Sequence, residues 1–175
     1  MNTKLVLLAC MLAALVFLSF PAAWAKQGEY IIRNNHSIER PQQVDILTLV
    51  NRNSIGGALW YSFPLQHTGL LPELNDSLHI EAGLVTSYGS HLHKHNDFVS
   101  LTPFGGIRWN FHLTRAWTLF TTAKLGWIIG FDEDYNGLTL TGTVGGIWHF
   151  DPQVALRIES GYGGRMAQVG VSFRL

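Results

Sequence analysis

Ionisable side chains are sparse in this chain, with 12 Lys and Arg, 12 Asp and Glu and 8 His among 175 residues. Glu81, Arg108, Lys124, Arg157, Glu159 and Arg174 fall within alternating runs, at the parity shared with Ser, Thr and Gly. Behind a wall, such a set must pair, because burying an unpaired charge costs several kcal/mol. The expectation is a salt-bridged polar filling. The alternative is a narrow ion path, and four cations against two acids would favour anions there. His79, His112 and His149 share the same parity. Three imidazoles can bind zinc or copper, but no acid or spacing motif ties these together. In His91-x-His93-x-His95, alternate side chains of an extended segment share one side and can chelate a metal. In a loop they are expected to be solvated, and neither a resident metal nor a cofactor is expected. Asp132, Glu133 and Asp134 read as a solvated acidic turn, with calcium binding as the alternative. Ser87 and His91 stand four residues apart, and Glu159 and Ser160 stand side by side. Neither arrangement puts a base beside a nucleophile.

The segment 98–131 sets the frame that positions these groups. It reads as two alternating runs joined at Thr114-Arg115. Val99, Leu101, Ile107, Trp109 and Phe111 oppose Ser100, Thr102, Gly106, Arg108, Asn110 and His112. Trp117, Leu119, Ala123, Leu125, Trp127, Ile129 and Phe131 oppose Thr118, Thr122, Lys124 and Gly126. A period of two marks strands with one apolar and one polar face. Both runs exceed the five or six residues usual for soluble strands and match the roughly ten tilted residues that cross a bilayer.

Composition agrees with this. Charged residues make up 14% of the chain, well below the roughly 25% usual in soluble domains. A formal net charge of zero gives no basic field for nucleic acid. No apolar run after residue 25 reaches the roughly 18 residues of a membrane helix. A membrane-spanning chain of this kind closes its strands into a barrel, because no backbone polar group can be left unpaired in lipid. Residues 1–25 read as a secretory signal, with Lys4, an apolar core and Ala23-Trp24-Ala25 as the cleavage site. An uncleaved anchor helix is the alternative. Leu7-Leu8-Ala9-Cys10 is like a lipoprotein box, but too few apolar residues precede it. Cys10 therefore leaves with the signal, and the mature chain has no thiol nucleophile or disulfide.

Residues 26–43 are expected to form an N-terminal extension and residues 44–175 one all-β domain. Eight strands are expected at 44–50, 54–63, 77–88, 98–113, 116–131, 138–150, 154–162 and 166–175. Pro64 is expected to end the second, opening a long loop over 64–76. With both termini at one end, Tyr61, Phe63, Trp109, Phe111, Trp117, Trp148, Phe150 and Phe173 form an aromatic girdle there. Tyr88, Trp127, Phe131 and Tyr162 form a second at the opposite end. A soluble β-sandwich also alternates, but needs neither girdle.

The last residues, Val169-Gly-Val-Ser-Phe-Arg-Leu175, resemble the C-terminal strand by which outer-membrane proteins are recognised for assembly, although Leu175 replaces the usual final Phe. Together with the signal and the strands, residues 44–175 resemble a small outer-membrane barrel of the OmpA-transmembrane or OmpX type. The resemblance implies an eight-stranded antiparallel transmembrane β-barrel in a Gram-negative outer membrane. It implies contact with lipid, lipopolysaccharide and the barrel-assembly machinery, and a monomeric state is expected. Lipid-modifying barrels of the lipid A 3-O-deacylase type carry a His-x-Ser pair on a late strand. Here Arg157-Ile-Glu-Ser-Gly161 offers Glu159 and Ser160 without a His, and His67 and His91 lie elsewhere. The expected role is structural or surface-interacting, with lipid A acyl chemistry and a narrow small-ion channel as alternatives.

Overall fold

Alternating side chains that must keep one face in lipid leave the backbone a single solution, a closed sheet with no free edge. The computed structural model of the protein has that form, and it describes residues 40–51, 54–66, 69–71, 74–90, 97–131, 136–162 and 167–175. Eight strands run β1(Gln43–Val50), β2(Ser54–Gln66), β3(Asp76–Ser90), β4(Asp97–His112), β5(Trp117–Gly130), β6(Asn136–His149), β7(Val154–Tyr162) and β8(Ala167–Arg174). Each pairs antiparallel with its sequence neighbour, and the order closes as a barrel. Closure is made by β1 on β8, in unbroken register from Gln43↔Arg174 to Val50↔Ala167. A sandwich of two sheets is thereby excluded.

The expected signal over 1–25 and residues 26–39 of the expected extension over 26–43 lie outside the described residues, as do His67, His91, His93, His95, Asp132, Glu133 and Asp134. Gln43, at the end of the expected extension, is already the first residue of β1.

Pro64 does not end β2, contrary to expectation. The strand continues to Gln66, with a register shift between Pro64 and Gln66 opposite β3. A proline removes one ladder donor, which a strand end or bulge tolerates. Pro103 sits deeper, in β4. It pairs with Leu84 on the β3 side, while the β4–β5 ladder skips from Leu101↔Ile129 to Phe104↔Gly126.

The outer wall is apolar. Ile46, Ile55, Leu59, Leu84, Ile107, Leu119, Leu125, Leu140, Val144 and Val169 are all 40–71% exposed. Among the described residues, none between the strand ends presents a charge on this face. Asp97, at the rim, accepts a hydrogen bond from the Tyr88 hydroxyl at 2.8 Å. Aromatic pairs line the end where β1 starts and β8 finishes, hereafter the terminal end. Tyr61 and Phe63 lie 6.2 Å apart between ring centres, Trp109 and Phe111 4.6 Å, and Trp148 and Phe150 5.7 Å. Trp117 stacks on Trp148 at 6.1 Å, and Phe173 pairs with Val44 across β8 and β1. Towards the opposite end Tyr88 and Trp127 are each 52% exposed and Phe131 71%. The side chain of Tyr162 lies outside the described residues.

Candidate functional site

The inward parity of every strand delivers its side chains to the lumen, and three kinds of surrounding result. The first is ionic. Asp45 from β1, Glu81 from β3, Arg108 from β4, Lys124 from β5 and Arg157 and Glu159 from β7 are all at most 2% exposed. Glu81 stands at the centre. Its Oε1 accepts from Arg108 Nη1 at 2.9 Å and from Arg157 Nη1 at 2.8 Å, and its Oε2 lies 3.3 Å from Lys124 Nζ. Glu159 takes Arg157 Nη2 at 2.6 Å and Lys124 Nζ at 3.3 Å. Asp45 pairs with Arg157 and lies 3.7 Å from Arg108 Nη1. The free Nη2 of Arg108 donates to Ser62 Oγ at 3.0 Å and to Gln43 Oε1.

The second surrounding is apolar and brackets the first. Leu47, Leu49, Ala58, Trp60, Val85 and Phe104 form one cluster. On β1, β3 and β4 these residues lie further from the terminal end than the ionic residues of the same strands, and on β2 Ala58 and Trp60 lie further from it than Ser62. Phe120, Ile147 and Ala155 form a second cluster, on the terminal side of the ionic residues of β5 and β7. Each cation is also set over a ring. Lys124 Nζ lies 3.8 Å from the centre of Trp60, and the guanidinium carbons of Arg157 and Arg108 lie 4.8 and 5.7 Å from Phe120. Cation–π attraction grows as the site dries. Two glycines make room for the rings. A Cβ on Gly83 would meet the Trp60 ring at 2.1 Å, and one on Gly126 the Phe104 ring at 2.5 Å.

The third surrounding is a cavity of about 610 Å³ at the terminal end, which His79, His112 and His149 help to line. His112 Nε2 lies 2.9 Å from Ser77 Oγ, and its Nδ1 lies 3.1 Å from Thr118 Oγ1. The same hydroxyl is 3.3 Å from His149 Nε2. These hydroxyl contacts hold the rings in place. Among the described residues, no three His, Cys, Asp or Glu side chains converge as a metal site requires.

The set singled out from the sequence omits Asp45 and includes Arg174. Arg174 sits apart from the ion pairs, at the mouth, with Nη1 donating to the Pro152 carbonyl at 3.3 Å. The central group therefore holds three carboxylates and three cations, and the expected excess of four cations over two acids does not exist there. Ser160 is exposed while the adjacent Glu159 is buried, because neighbours on a strand face opposite sides. Ser87 Oγ is 2.7 Å from Ser100 Oγ.

No family model matches the chain, and no curated protein does. Solved structures do. A de novo designed transmembrane β-barrel aligns over 78% of this chain and 98% of its own at 15% identity, with a TM-score of 0.54. The Yersinia pestis outer membrane protein Ail, in a phospholipid bilayer nanodisc, aligns over 78% of this chain and all of its own at 12% identity, with a TM-score of 0.52. The geometry and these likenesses agree on the architecture, a small eight-stranded antiparallel transmembrane β-barrel.

Proposed function

We propose that this chain is a non-conducting outer-membrane barrel of a Gram-negative bacterium, with a structural or surface-interaction role. In this reading the signal is removed after Ala25, the terminal end faces the periplasm and the loops after β1, β3, β5 and β7 face outward. The observation that carries it is the lumen. Six mutually paired charged side chains, at most 2% exposed, lie between two apolar clusters, which supports a closed lumen. The likeness to Ail, an outer membrane protein, supports the location. The apolar outer wall would contact lipid and lipopolysaccharide, and β8 would address the assembly machinery. One copy suffices, since the sheet has no open edge.

Conductance across planar bilayers tests this reading. The expected trace is flat at the baseline, and reproducible single-channel steps would overturn it in favour of a narrow channel. Lipid A from cells with and without the protein is expected to give the same mass spectrum. A gained or lost acyl mass would make the barrel an enzyme instead.

A further inference from the structure

The mouth cavity at the terminal end is charged in a way the interior is not. Arg40, Arg115 and Arg174 line it, against a single carboxylate among the described residues, Asp151. Arg40 is buried ahead of β1 and donates to Asn75 Oδ1. Its pKa is lowered, chiefly by burial, and the positive field of Arg174 adds to this while Asp76 opposes it. Several polar atoms of the lining have no hydrogen-bond partner among the described residues: Arg40 Nε, Arg174 Nε and His149 Nδ1, with Asn110 Oδ1 as an unmet acceptor. Guanidinium N–H groups can only donate. Leaving buried donors unmade carries their desolvation cost, so a site of this kind gains most from a ligand rich in acceptors and negatively charged.

We propose that this cavity is a binding site for an oxyanion, a phosphate or carboxylate group, held by Arg40 and Arg174 with Arg115 at the rim. The guanidinium fork suits both groups, since it can give two parallel hydrogen bonds to adjacent oxygens. His149 adds a donor from the wall, and the Asn110 carbonyl can accept from a hydroxyl of the ligand. The cavity is ample for a small organic anion.

The test uses the mature barrel refolded in zwitterionic nanodiscs, with inorganic phosphate and, separately, acetate titrated at constant ionic strength made up with chloride. Arginine Nε–H and histidine ring resonances report binding. Saturable shifts are expected with at least one of the two oxyanions, and a Kd raised at least tenfold in Arg174→Gln and in Arg40→Gln. Arg115→Gln, on an exposed turn, guards against misfolding of the other two and is expected to raise Kd severalfold. Nanodiscs containing phosphatidylglycerol distinguish the sources. Shifts without added phosphate identify a lipid headgroup as the donor of the oxyanion, and shifts only with soluble phosphate or acetate identify a solute. An absent saturable response, a response that chloride alone reproduces, or unchanged affinity in all three variants overturns the proposal.

Discussion

Arginine serves two regions of this barrel in opposite ways. Arg108 and Arg157 lie in the middle of the lumen, fully buried, and every cation there has a carboxylate within 3.3 Å. Arg40, Arg115 and Arg174 line the mouth cavity, where Asp151 is the carboxylate of the described lining, and Asp76 acts on Arg40 from behind it. The difference follows from water. In the dry centre a charge without a partner costs several kcal/mol, so the centre reaches neutrality, three against three. The mouth opens to solvent and ions, where screening makes an excess of one sign tolerable. The proposed function follows the same division, in which the neutral centre would close the lumen and the cationic mouth would take an anion.

The largest expected effect comes from breaking neutrality at its hub. Glu81→Leu strips Arg108, Arg157 and Lys124 of a shared carboxylate and should cost about 3–5 kcal/mol, as breaking a buried pair does. Urea unfolding of the barrel in liposomes measures it. A loss of only about 0–1 kcal/mol, the value of an exposed pair, would show that the centre is hydrated and that the contrast with the mouth is false.

A somewhat smaller effect is expected across the wall. Leu125 follows Lys124 directly yet is 50% exposed, where Lys124 is 1% exposed. Leu125→Arg sends a cation into lipid in mid-strand and should cost about 2–4 kcal/mol, read from the same unfolding midpoints. Tolerance of this change together with failure of Lys124→Leu would invert the assignment of the two faces.

Smaller again is Gly83→Ala. The added methyl meets the Trp60 ring and the carbonyl of Leu59, so the ring that sits beneath Lys124 must shift. Overpacking of this kind should cost about 1–3 kcal/mol, with the Trp60 fluorescence changed. A neutral outcome would mean that the apolar cluster is loose enough to yield.

How much of this is legible in the sequence depends on contrast between faces. In β5 the outward residues are Trp, Leu, Ala and Ile and the inward ones include Thr118, Thr122 and Lys124, so parity reveals both strand and facing. In β1 the contrast fails. Asp45, Leu47 and Leu49 are buried while Ile46 and Val50 are exposed. With apolar residues on both faces, Asp45 does not stand out, although its parity with Leu47 and Leu49 is the signal that finds it. Trp60, Phe104 and Phe120 escape for the same reason, as aromatics at inward positions of strands whose outer faces are aromatic too. Arg174 has inward parity but lies at the last residue of β8. Parity gives the side of the wall and not the height along the barrel, and height separates the neutral centre from the mouth. Pro64 misleads because one missing N–H ends a strand only where no bulge can absorb it.

The smallest expected effect on stability lies at the mouth, where Arg115→Gln removes an exposed charge from the β4–β5 turn. Stability should stay within about 0.5 kcal/mol, as for surface changes away from special contacts. Held beside Glu81→Leu, this variant sharpens the comparison, since both alter a single charge in one lumen. The contrast rests on water and not on charge count. It therefore survives only if the unfolding midpoint barely moves in Arg115→Gln in high salt, where the mouth is screened. A midpoint that fell in low salt alone would show Arg115 attracted to a carboxylate and the mouth already neutral. A midpoint that rose in low salt alone would show the mouth cations repelling one another, which is the imbalance an oxyanion would relieve.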